Sequence, residues 1–487
     1  MKKILVALLA VLLVLAAVAL ERTFTFRSRQ PQAAPVAVEP LDTAALAQRL
    51  AGALRFKTVS YQDSSQFDAR EFDGFQRYLR ATFPRLHAAL KLEKVNGYGL
   101  LYEWTGADPN LSPIVLLAHQ DVVPVEPGTE SRWTEPPFEG RIAAGYVWGR
   151  GALDDKGSLV GILEAVERLV AAGAKSRRTV YLAFGYDEEV GGRRGAARIA
   201  ELLAARGVHP EFVLDEGGAL ATGLVTGISA PVALIGIAEK GYVTVGLTAQ
   251  AEGGHSSMPP DETAVGILAT AITRLEHQQM ARAIRGPTAT MFDYLGPEMS
   301  FGPRLVIANR WLLGGVLARK FGATPQGNAM LRTTTAATVL QAGVKENVLP
   351  STARALVNFR VLPGDSVGSV VEHVRQVVHD ARISVQPLEE TLSNPSAVTR
   401  VDAEPFRLLA RTIRQVIPGA VVTPWLVVGA TDSRHYARLT PNVLRFVGTA
   451  IGKEDLRRVH GTDERVGVQA YADAVRLYLQ LLRNAAF

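Results

Sequence analysis

Short apolar runs alternate with amphipathic segments in the first half of the chain, and this alternation limits the fold more than any other feature. The runs PIVLLA (113–118), TVYLAF (179–184) and EFVLD (211–215) have the length and composition of buried strands. Segments 159–173 and 194–207 carry apolar residues at a spacing of three and four, which predicts helices. Strands that alternate with helices indicate an α/β fold with a mostly parallel sheet.

A different pattern begins near Lys240 and predicts a smaller α+β domain inserted into the first. Its elements are expected in an order close to β-α-β-β-α-β, with extra chain between about Gly286 and Thr333. The α/β pattern returns after Asn394. The predicted elements of this second half are strand 241–250, helix 263–277, strand 353–363, helix 366–380, strand 382–390 and a closing helix over 468–484. We therefore predict a larger domain formed by residues 41–238 and 392–487 and an inserted domain at 239–391.

The N-terminus has the pattern of an export segment. The residues MKK precede an apolar run from Ile4 to Leu20, and a Pro-, Ala- and Gln-rich stretch follows to about Pro40. The triplet Ala17-Val18-Ala19 fits a signal cleavage site, but the run also reaches the short end of what spans a bilayer. We expect residues 1–40 to be a signal peptide or membrane anchor plus linker. The rest is then exported, to the periplasmic or extracellular side.

The composition excludes several kinds of site. The chain has no cysteine, which rules out a thiol nucleophile, disulfides and a thiolate zinc site. Its 53 basic and 47 acidic residues are interspersed, and no basic run with aromatic residues suggests nucleic acid as a partner. Any metal must therefore be held by His, Asp and Glu.

Polar residues follow three predicted strands directly, and a turn in GRGALDDKG (149–157) adds two aspartates. In open α/β sheets, ligands bind beyond the carboxyl ends of the strands. Carboxylates brought together there repel each other unless a cation neutralises them, and imidazole with carboxylate suits zinc or a similar ion. The residues at these positions are His119, Gln120, Asp121, Asp154, Asp155, Asp187, Glu188, Glu189, Asp215 and Glu216.

Glu188 and Glu189 can divide two tasks, because adjacent side chains that leave a strand point in different directions. One can bind metal while the other takes the proton from the attacking water. Alone, each of these motifs is typical of a solvated loop or a helix N-terminus. Their occurrence in order, each at a strand end, indicates a metal-dependent hydrolytic site.

Eight motifs together resemble a known family. The motifs LLAHQDVVPV, GRGALDDKG, DEEVGG, LDEGG, GGHSS, NVLPSTARALVNFR, GATDSR and VHGTDERV appear in family order and cover nearly everything after residue 42. They are similar to those of the co-catalytic zinc aminoacylases and carboxypeptidases, which include aminoacylase-1, ArgE, DapE, carboxypeptidase G and carboxypeptidase S. The long chain and the N-terminal apolar segment look most like carboxypeptidase S and the secreted N-fatty-acyl amino acid hydrolase/synthase.

The resemblance implies a site for two Zn²⁺ ions, or for another divalent ion such as Co²⁺ or Mn²⁺. His119 would bind one ion and Asp154 would bridge both. Glu189 and His460 would belong to the first ion, and Glu216 would complete the second, with Asp215 as the open alternative. By the same resemblance, Glu188 would be the general base and Asp121 would orient His119.

The inserted domain resembles the lid and dimerisation domain of the family. His255 would stabilise the oxyanion, in relatives by reaching into the partner subunit's site. Asn347, Arg360 and Arg434 look like the groups that hold the carbonyl and the α-carboxylate of the substrate. The resemblance thus implies a homodimer that acts on small molecules or peptides with a free carboxylate.

The leading prediction is a metal-dependent hydrolase that cleaves the amide bond of N-acyl amino acids or small peptides through a metal-activated water. The alternatives are a catalytically silent exported peptide-binding protein and a membrane-tethered interaction protein with structural metals. The presence of the base Glu188 together with the full ligand set speaks against the silent protein, and structural metals would not require adjacent glutamates or arginines at carboxylate positions.

The apolar segment 300–322 allows three readings. It could form an acyl pocket, lie against a membrane, or simply pack on the lid.

Overall fold

The computed structural model describes all residues from 1 to 487. Its α-helices are α1 (Lys2–Thr25), α2 (Thr43–Ala53), α3 (Ala69–Thr82), α4 (Pro84–Ala89), α5 (Lys156–Ala171), α6 (Ala196–Ala205), α7 (Ala264–His277), α8 (Gly286–Leu295), α9 (Phe301–Ala308), α10 (Arg310–Phe321), α11 (Pro325–Leu331), α12 (Val367–Val378), α13 (Glu404–Val416) and α14 (Val468–Ala486).

The strands are β1 (Lys91–Val95), β2 (Gly99–Trp104), β3 (Ile114–His119), β4 (Arg141–Ala143), β5 (Tyr146–Trp148), β6 (Val180–Gly185), β7 (Phe212–Asp215), β8 (Leu220–Ala221), β9 (Val232–Glu239), β10 (Gly241–Gln250), β11 (Gly254–His255), β12 (Thr334–Ala342), β13 (Val348–Leu349), β14 (Thr352–Val361), β15 (Ile383–Pro387), β16 (Val421–Val427), β17 (Val443–Arg445), β18 (Ala450–Ile451) and β19 (Arg465–Gly467).

A ten-stranded sheet forms the centre of the molecule. Its order is β1-β2-β6-β3-β7-β17-β9-β8-β18, and β16 pairs with β9 off this path. The central run β6-β3-β7-β17 is parallel, whereas β1 and β2 add antiparallel strands at one edge. The predicted α/β fold is confirmed, and the parallel centre brings the carboxyl ends of β3, β6 and β7 to one edge.

Helices cover both faces of this sheet because its central strands are apolar on both sides. Leu116 of β3 belongs to the largest core cluster with residues of α5 and α14, whereas Val115 and Leu117 pack with α6 on the opposite face. A strand buried on both faces reads as a continuous apolar run, which is the pattern of PIVLLA. The sheet is thereby fixed between two helical layers.

A separate four-stranded antiparallel sheet, in the order β12-β14-β10-β15, forms the lid. One side of β10 contributes Val243, Val245 and Leu247 to a second core, which α7 and α12 cover. Strand β12 is one of the two edge strands, and most of its residues are exposed. The division of the chain at residues 239 and 391 stays a prediction.

Helices α8–α11 pack differently from the expectation that the extra chain belongs to the lid. Met291 and Phe292 of α8 and Ile307 of α9 share a core with Val421 and Leu426 of β16. The segment therefore leaves the lid after α7, docks on the large sheet and returns before β12. Its apolar composition indicated a buried side but could not indicate which sheet would bury it.

Helix α1 is long and apolar enough to cross a membrane by its length and composition, and the apolar window of this helix is not buried. Only its C-terminal end contacts the rest of the chain. The side-chain amide of Asn309 donates to the carbonyl oxygen of Ala19 (2.9 Å), and Arg304 donates to that of Phe26 (2.7 Å). Helix α1 thus meets the body at the junction of α9 and α10.

Candidate metal centre

Four loops bring the predicted ligands together at the carboxyl edge of the large sheet. His119 ends β3, Glu189 follows β6, and Glu216 follows β7. Asp154 lies in the turn before α5, and His460 lies in the loop before β19. Their convergence arises because parallel neighbouring strands end at the same edge.

The side chains form two groups of three that share Asp154. In one group, Nε2 of His119 lies 3.0 Å from Oδ1 of Asp154 and 3.5 Å from Oε1 of Glu216. In the other group, Nε2 of His460 lies 3.0 Å from Oδ2 of Asp154 and 3.2 Å from Oε2 of Glu189. Each oxygen of Asp154 therefore faces a different group, as a bridging carboxylate must.

These residues fit a pair of divalent cations. Ligand atoms about 2.0–2.1 Å from a tetrahedral Zn²⁺ ion lie roughly 3.3 Å apart, which matches the spacing within both groups. Oε1 of Glu189 is buried and has no hydrogen-bond partner, so this ligand carboxylate keeps an unsatisfied acceptor that a cation would satisfy. Imidazole and carboxylate together favour zinc or a similar ion.

The electrostatics of the protein alone indicate that positive charge is needed. Burial, with the charge of Asp154 next, raises the pKa of Glu216 to about 8. Burial also raises the pKa of Glu188 well above its ordinary value. Hydrogen bonds to Asp154 and Glu189 raise the pKa of His460 to about 10. Bound cations would reverse these shifts, because they favour carboxylates and neutral imidazoles.

Asp121 holds two parts of the site at once. Nδ1 of His119 hydrogen-bonds to the backbone carbonyl oxygen of Asp121 (3.0 Å) and lies 3.4 Å from its carboxylate, which accepts hydrogen bonds from the amides of Glu188 (3.2 Å) and Glu189 (3.1 Å). Ser60 donates to it at 2.6 Å. Burial alone would raise the pKa of Asp121, but hydrogen bonds from these neighbours, led by His119, hold it below its ordinary value. Asp121 therefore orients the histidine and fixes the Glu188–Glu189 turn.

Sequence reasoning missed Glu464, which organises the turn that carries Asp154. Its Oε1 accepts hydrogen bonds from the amides of Gly151 (3.0 Å), Leu153 (2.9 Å) and Asp154 (3.2 Å). Its Oε2 accepts one from Arg150, which also donates to the carbonyl oxygen of His460 at 3.1 Å. Glu464 belongs to the VHGTDERV motif and Arg150 to GRGALDDKG, so their place in the motifs was the available signal.

The geometry separates Asp215 from Glu216. Asp215 accepts a hydrogen bond from the amide of Ser433 (2.7 Å) and so faces the GATDSR turn. Glu239 accepts hydrogen bonds from the amide and hydroxyl of Thr431 in the same turn, and Arg445 is buried beside it. Of these two acids, Glu216 approaches His119, whereas Asp215 contacts the neighbouring turn.

Arg434 extends from that turn and lies against the glutamate turn. Its guanidinium donates to the carbonyl oxygen of Gly191 at 2.8 Å. Arg360 reaches the same cleft from β14 of the lid. Burial lowers the pKa of Arg360, the ring of Tyr242 opposes this shift, and the nearby positive charge of Arg434 adds to it. Two half-buried guanidinium groups at one cleft suit a carboxylate ligand.

His255 and Asn347 do not join this cluster within the chain. His255 is exposed on the two-stranded sheet of β11 and β13, and its Nδ1 contacts the hydroxyl of Ser257 at 2.8 Å. Asn347 is exposed beside it, and its carbonyl oxygen accepts a hydrogen bond from the backbone amide of Ser256 (3.2 Å). The structure therefore assembles the predicted metal ligands, Glu188 and the two arginines, but leaves these two residues on the lid surface.

Comparison with known proteins gives the same picture. The family model for peptidase family M20/M25/M40 matches residues 115–484. The chain is 41% identical to "Probable carboxypeptidase S-like 2" of Dictyostelium discoideum, over 95% of this chain and 90% of the relative. It is 40% identical to "N-fatty-acyl-amino acid synthase/hydrolase PM20D1" of Xenopus tropicalis, over 99% of this chain and 95% of that relative. Carboxypeptidase S of Saccharomyces cerevisiae is 32% identical, over 90% of this chain and 83% of that relative.

Solved structures confirm the fold. The M20 family metallo-carboxypeptidase Sso-CP2 from Sulfolobus solfataricus superposes with a TM-score of 0.64 at 19% identity, covering 90% of this chain and 98% of that one. Human carnosine dipeptidase 1 superposes with a TM-score of 0.63 at 14% identity, covering 91% of this chain and 96% of that one. With its family match over most of the chain, its α/β fold and its shared-aspartate site, this chain belongs to the M20/M25/M40 peptidase family and is a metal-dependent hydrolase of amide bonds.

Proposed function

We propose that this protein hydrolyses the amide bond of N-acyl amino acids or small peptides that end in a free carboxylate, with two Zn²⁺ ions as its cofactors. The observation that carries this proposal is the shared Asp154 between two ligand groups, with the buried Glu188 close enough to feel the charges of His119, Glu216 and Glu189. Relatives named as carboxypeptidase S-like and as N-fatty-acyl-amino acid synthase/hydrolase support the substrate class.

The ligand assignment follows the distances. His119 and Glu216 would hold one ion, Glu189 and His460 the other, and Asp154 both. The ions would polarise the scissile carbonyl and lower the pKa of water at the site.

Glu188 is the residue left to act as general base. It is adjacent to the ligand Glu189 but belongs to neither ligand group. Its turn is fixed through Asp121, so its carboxylate is positioned before substrate arrives. Glu188 would take the proton from the attacking water and return it to the leaving amine.

Arg434 and Arg360 supply recognition of the carboxylate. Arg434 is held two residues from Glu189 through Gly191, so a bound carboxylate would lie a short, fixed distance from the scissile amide. This arrangement favours a substrate whose leaving group is an amino acid.

A homodimer is the second part of the proposal. Strand β12 presents an exposed edge with Val339 and Leu340 on the lid, and an exposed edge strand is a template for pairing. His255 contacts no ligand of its own chain, which is expected if it completes the partner's site. Mixing inactive Glu188→Gln protein with inactive His255→Ala protein should then restore activity through mixed dimers, whereas no restoration would reject action between subunits.

The central experiment compares zinc-loaded wild type and Glu188→Gln on N-oleoyl-phenylalanine and on a Gly-Leu dipeptide. Removal of the base should lower kcat by about 10²–10⁴-fold while the bound metal content stays at the wild-type level. The control is Glu164→Gln, a buried glutamate paired with Arg49 outside the site. Wild-type turnover in Glu188→Gln would reject the assignment, and the preferred substrate of the wild type identifies a lipidic acyl or a peptide specificity.

A further inference from the structure

Helix α10 has an apolar face that the chain leaves uncovered. None of its residues is buried, although it contains Trp, Leu, Val and Phe. Trp311 is 51% exposed, Leu312 48% and Val316 41%. These three side chains lie on the exposed half of the helix, and exposed Arg319 and Lys320 lie on the same half near the C-terminal end. An apolar stripe with aromatic and basic residues is typical of helices that lie in a membrane interface.

This face is continuous with helix α1. Phe24 and Phe301, both exposed, are in contact with their rings tilted by 39° and their centroids 6.0 Å apart at the junction. Asn309 is fully buried there, and its amide donates both to the carbonyl oxygen of Ala19 (2.9 Å) and to the hydroxyl of Thr23 (3.2 Å). The apolar face of α9 and α10 therefore begins where the apolar helix ends.

The dimensions place this junction at a bilayer surface. The apolar run from Ile4 to Leu20 rises about 1.5 Å per residue, or roughly 26 Å, which approaches the ~30 Å hydrocarbon thickness of a bilayer. Lys2 and Lys3 would stay on the cytoplasmic side. Residues Thr23 to Phe26 then reach the opposite interface, and α9 and α10, which bind them, must lie at the same depth.

The segment that follows α1 holds the larger domain close to that interface. The side chain of Gln30 makes two hydrogen bonds with the backbone of Val422 (2.9 and 2.7 Å). The amide of Val36 donates to Gln415, and Glu39 pairs with Arg483 at 3.0 Å. The stretch after α1 is thus attached along the larger domain, which fixes the orientation of the whole molecule relative to α1.

We infer that α1 stays in the membrane and that the apolar face of α9 and α10, formed by Phe301, Trp311, Leu312 and Val316, lies in the outer lipid interface. Arg319 and Lys320 contact the phosphate groups there. The partner is thus a phospholipid bilayer, and the protein sits on it as a fixed body with no free tether. This inference does not depend on the substrate proposed above.

Trp311 provides a direct test in the full-length chain. Trp104, Trp133 and Trp148 are buried and Trp425 is half-buried, so Trp311 is the tryptophan most accessible to a quencher. Full-length protein is reconstituted in phosphatidylcholine vesicles that contain lipid with a nitroxide either near the headgroup or at the chain end. Tryptophan emission should fall most with the shallow quencher.

The Trp311→Phe variant should lose this quenching, whereas the control Trp425→Phe should keep it. Equal quenching in wild type and Trp311→Phe, or none in either, would overturn the inference. So would a mass that doubles in detergent in wild type but not in Trp311→Phe, because a second copy would then cover this face. Isolation from cells of a soluble chain that begins after Ala19 would overturn it as well.

Discussion

Replacing Glu464 by glutamine tests whether the acid that holds the Asp154 turn controls metal binding. A glutamine keeps the oxygen that accepts the three backbone amides of the turn. Its amide group, however, would face the guanidinium of Arg150, so a donor would meet a donor. Arg150 is buried and also donates to the carbonyl oxygen of His460, so the unpaired charge is next to a ligand.

We expect Glu464→Gln to change two quantities, the folding free energy and the affinity for metal. Leaving a buried arginine without its carboxylate costs about 3–5 kcal/mol of folding free energy. Loss of a group that orients metal ligands typically lowers metal affinity about 10–100-fold. We therefore expect Glu464→Gln to lower the denaturation midpoint of the metal-free protein and to weaken Zn²⁺ binding in calorimetric titration by one to two orders of magnitude.

Glu164→Gln is the matched control, because it removes the carboxylate of another buried pair, that with Arg49, away from the site. It should lower stability without changing zinc affinity. Wild-type zinc affinity in Glu464→Gln, or an equal loss of affinity in both variants, would refute the reasoning.

Three further predictions concern single residues. In metal-free protein, the pKa of His460 is raised from 6.5 to about 10, so its stabilising contribution should be complete below about pH 6.5 and lost as the pH rises through 10. The difference in melting temperature between chelated wild type and His460→Asn should shrink over that range, and a constant difference would contradict it. Gly192→Ala should lower both the free energy of unfolding and turnover. Its φ of +65° costs a non-glycine residue about 1–3 kcal/mol, and the clash of the added Cβ with Asp432, 2.0 Å away, adds to this cost. Gly97→Ala, with φ +91° and open space, should show only the backbone cost, so equal losses would exclude the clash. Glu216→Gln should bind one zinc ion fewer by elemental analysis, whereas Asp215→Asn should keep both and instead raise KM; the reverse result would exchange their roles.

The sequence predicted the elements and the ligands where local pattern is sufficient. A buried strand such as 114–119 is apolar throughout, and the polar residue that ends it is directly visible. His119, Glu189 and Glu216 were therefore identifiable as residues at strand ends. The preference for Glu216 over Asp215 came from resemblance alone, and the distances to His119 now support it.

Other features depend on contacts that no local pattern contains. Glu464 binds backbone amides more than 300 positions earlier in the chain, and a backbone amide has no sequence signature. The docking of α8 on β16 was unpredictable for a related reason, since both sheets offer apolar surface to a helix. Periodicity shows that a face is buried but does not identify its partner.

The excursion of α8–α11 onto the large sheet has a consequence for substrate choice. Because the chain leaves the lid after α7 and returns before β12, four segments, not two, connect the lid to the larger domain. Lys240 ties the end of this excursion to the first connection by donating to the carbonyl oxygens of Ala329 and Arg332, both at 2.8 Å. So many connections restrict how far Arg360 can move from Arg434. Under the proposed function, a substrate carboxylate would then have to reach these two arginines at a nearly fixed distance from the metal ligands.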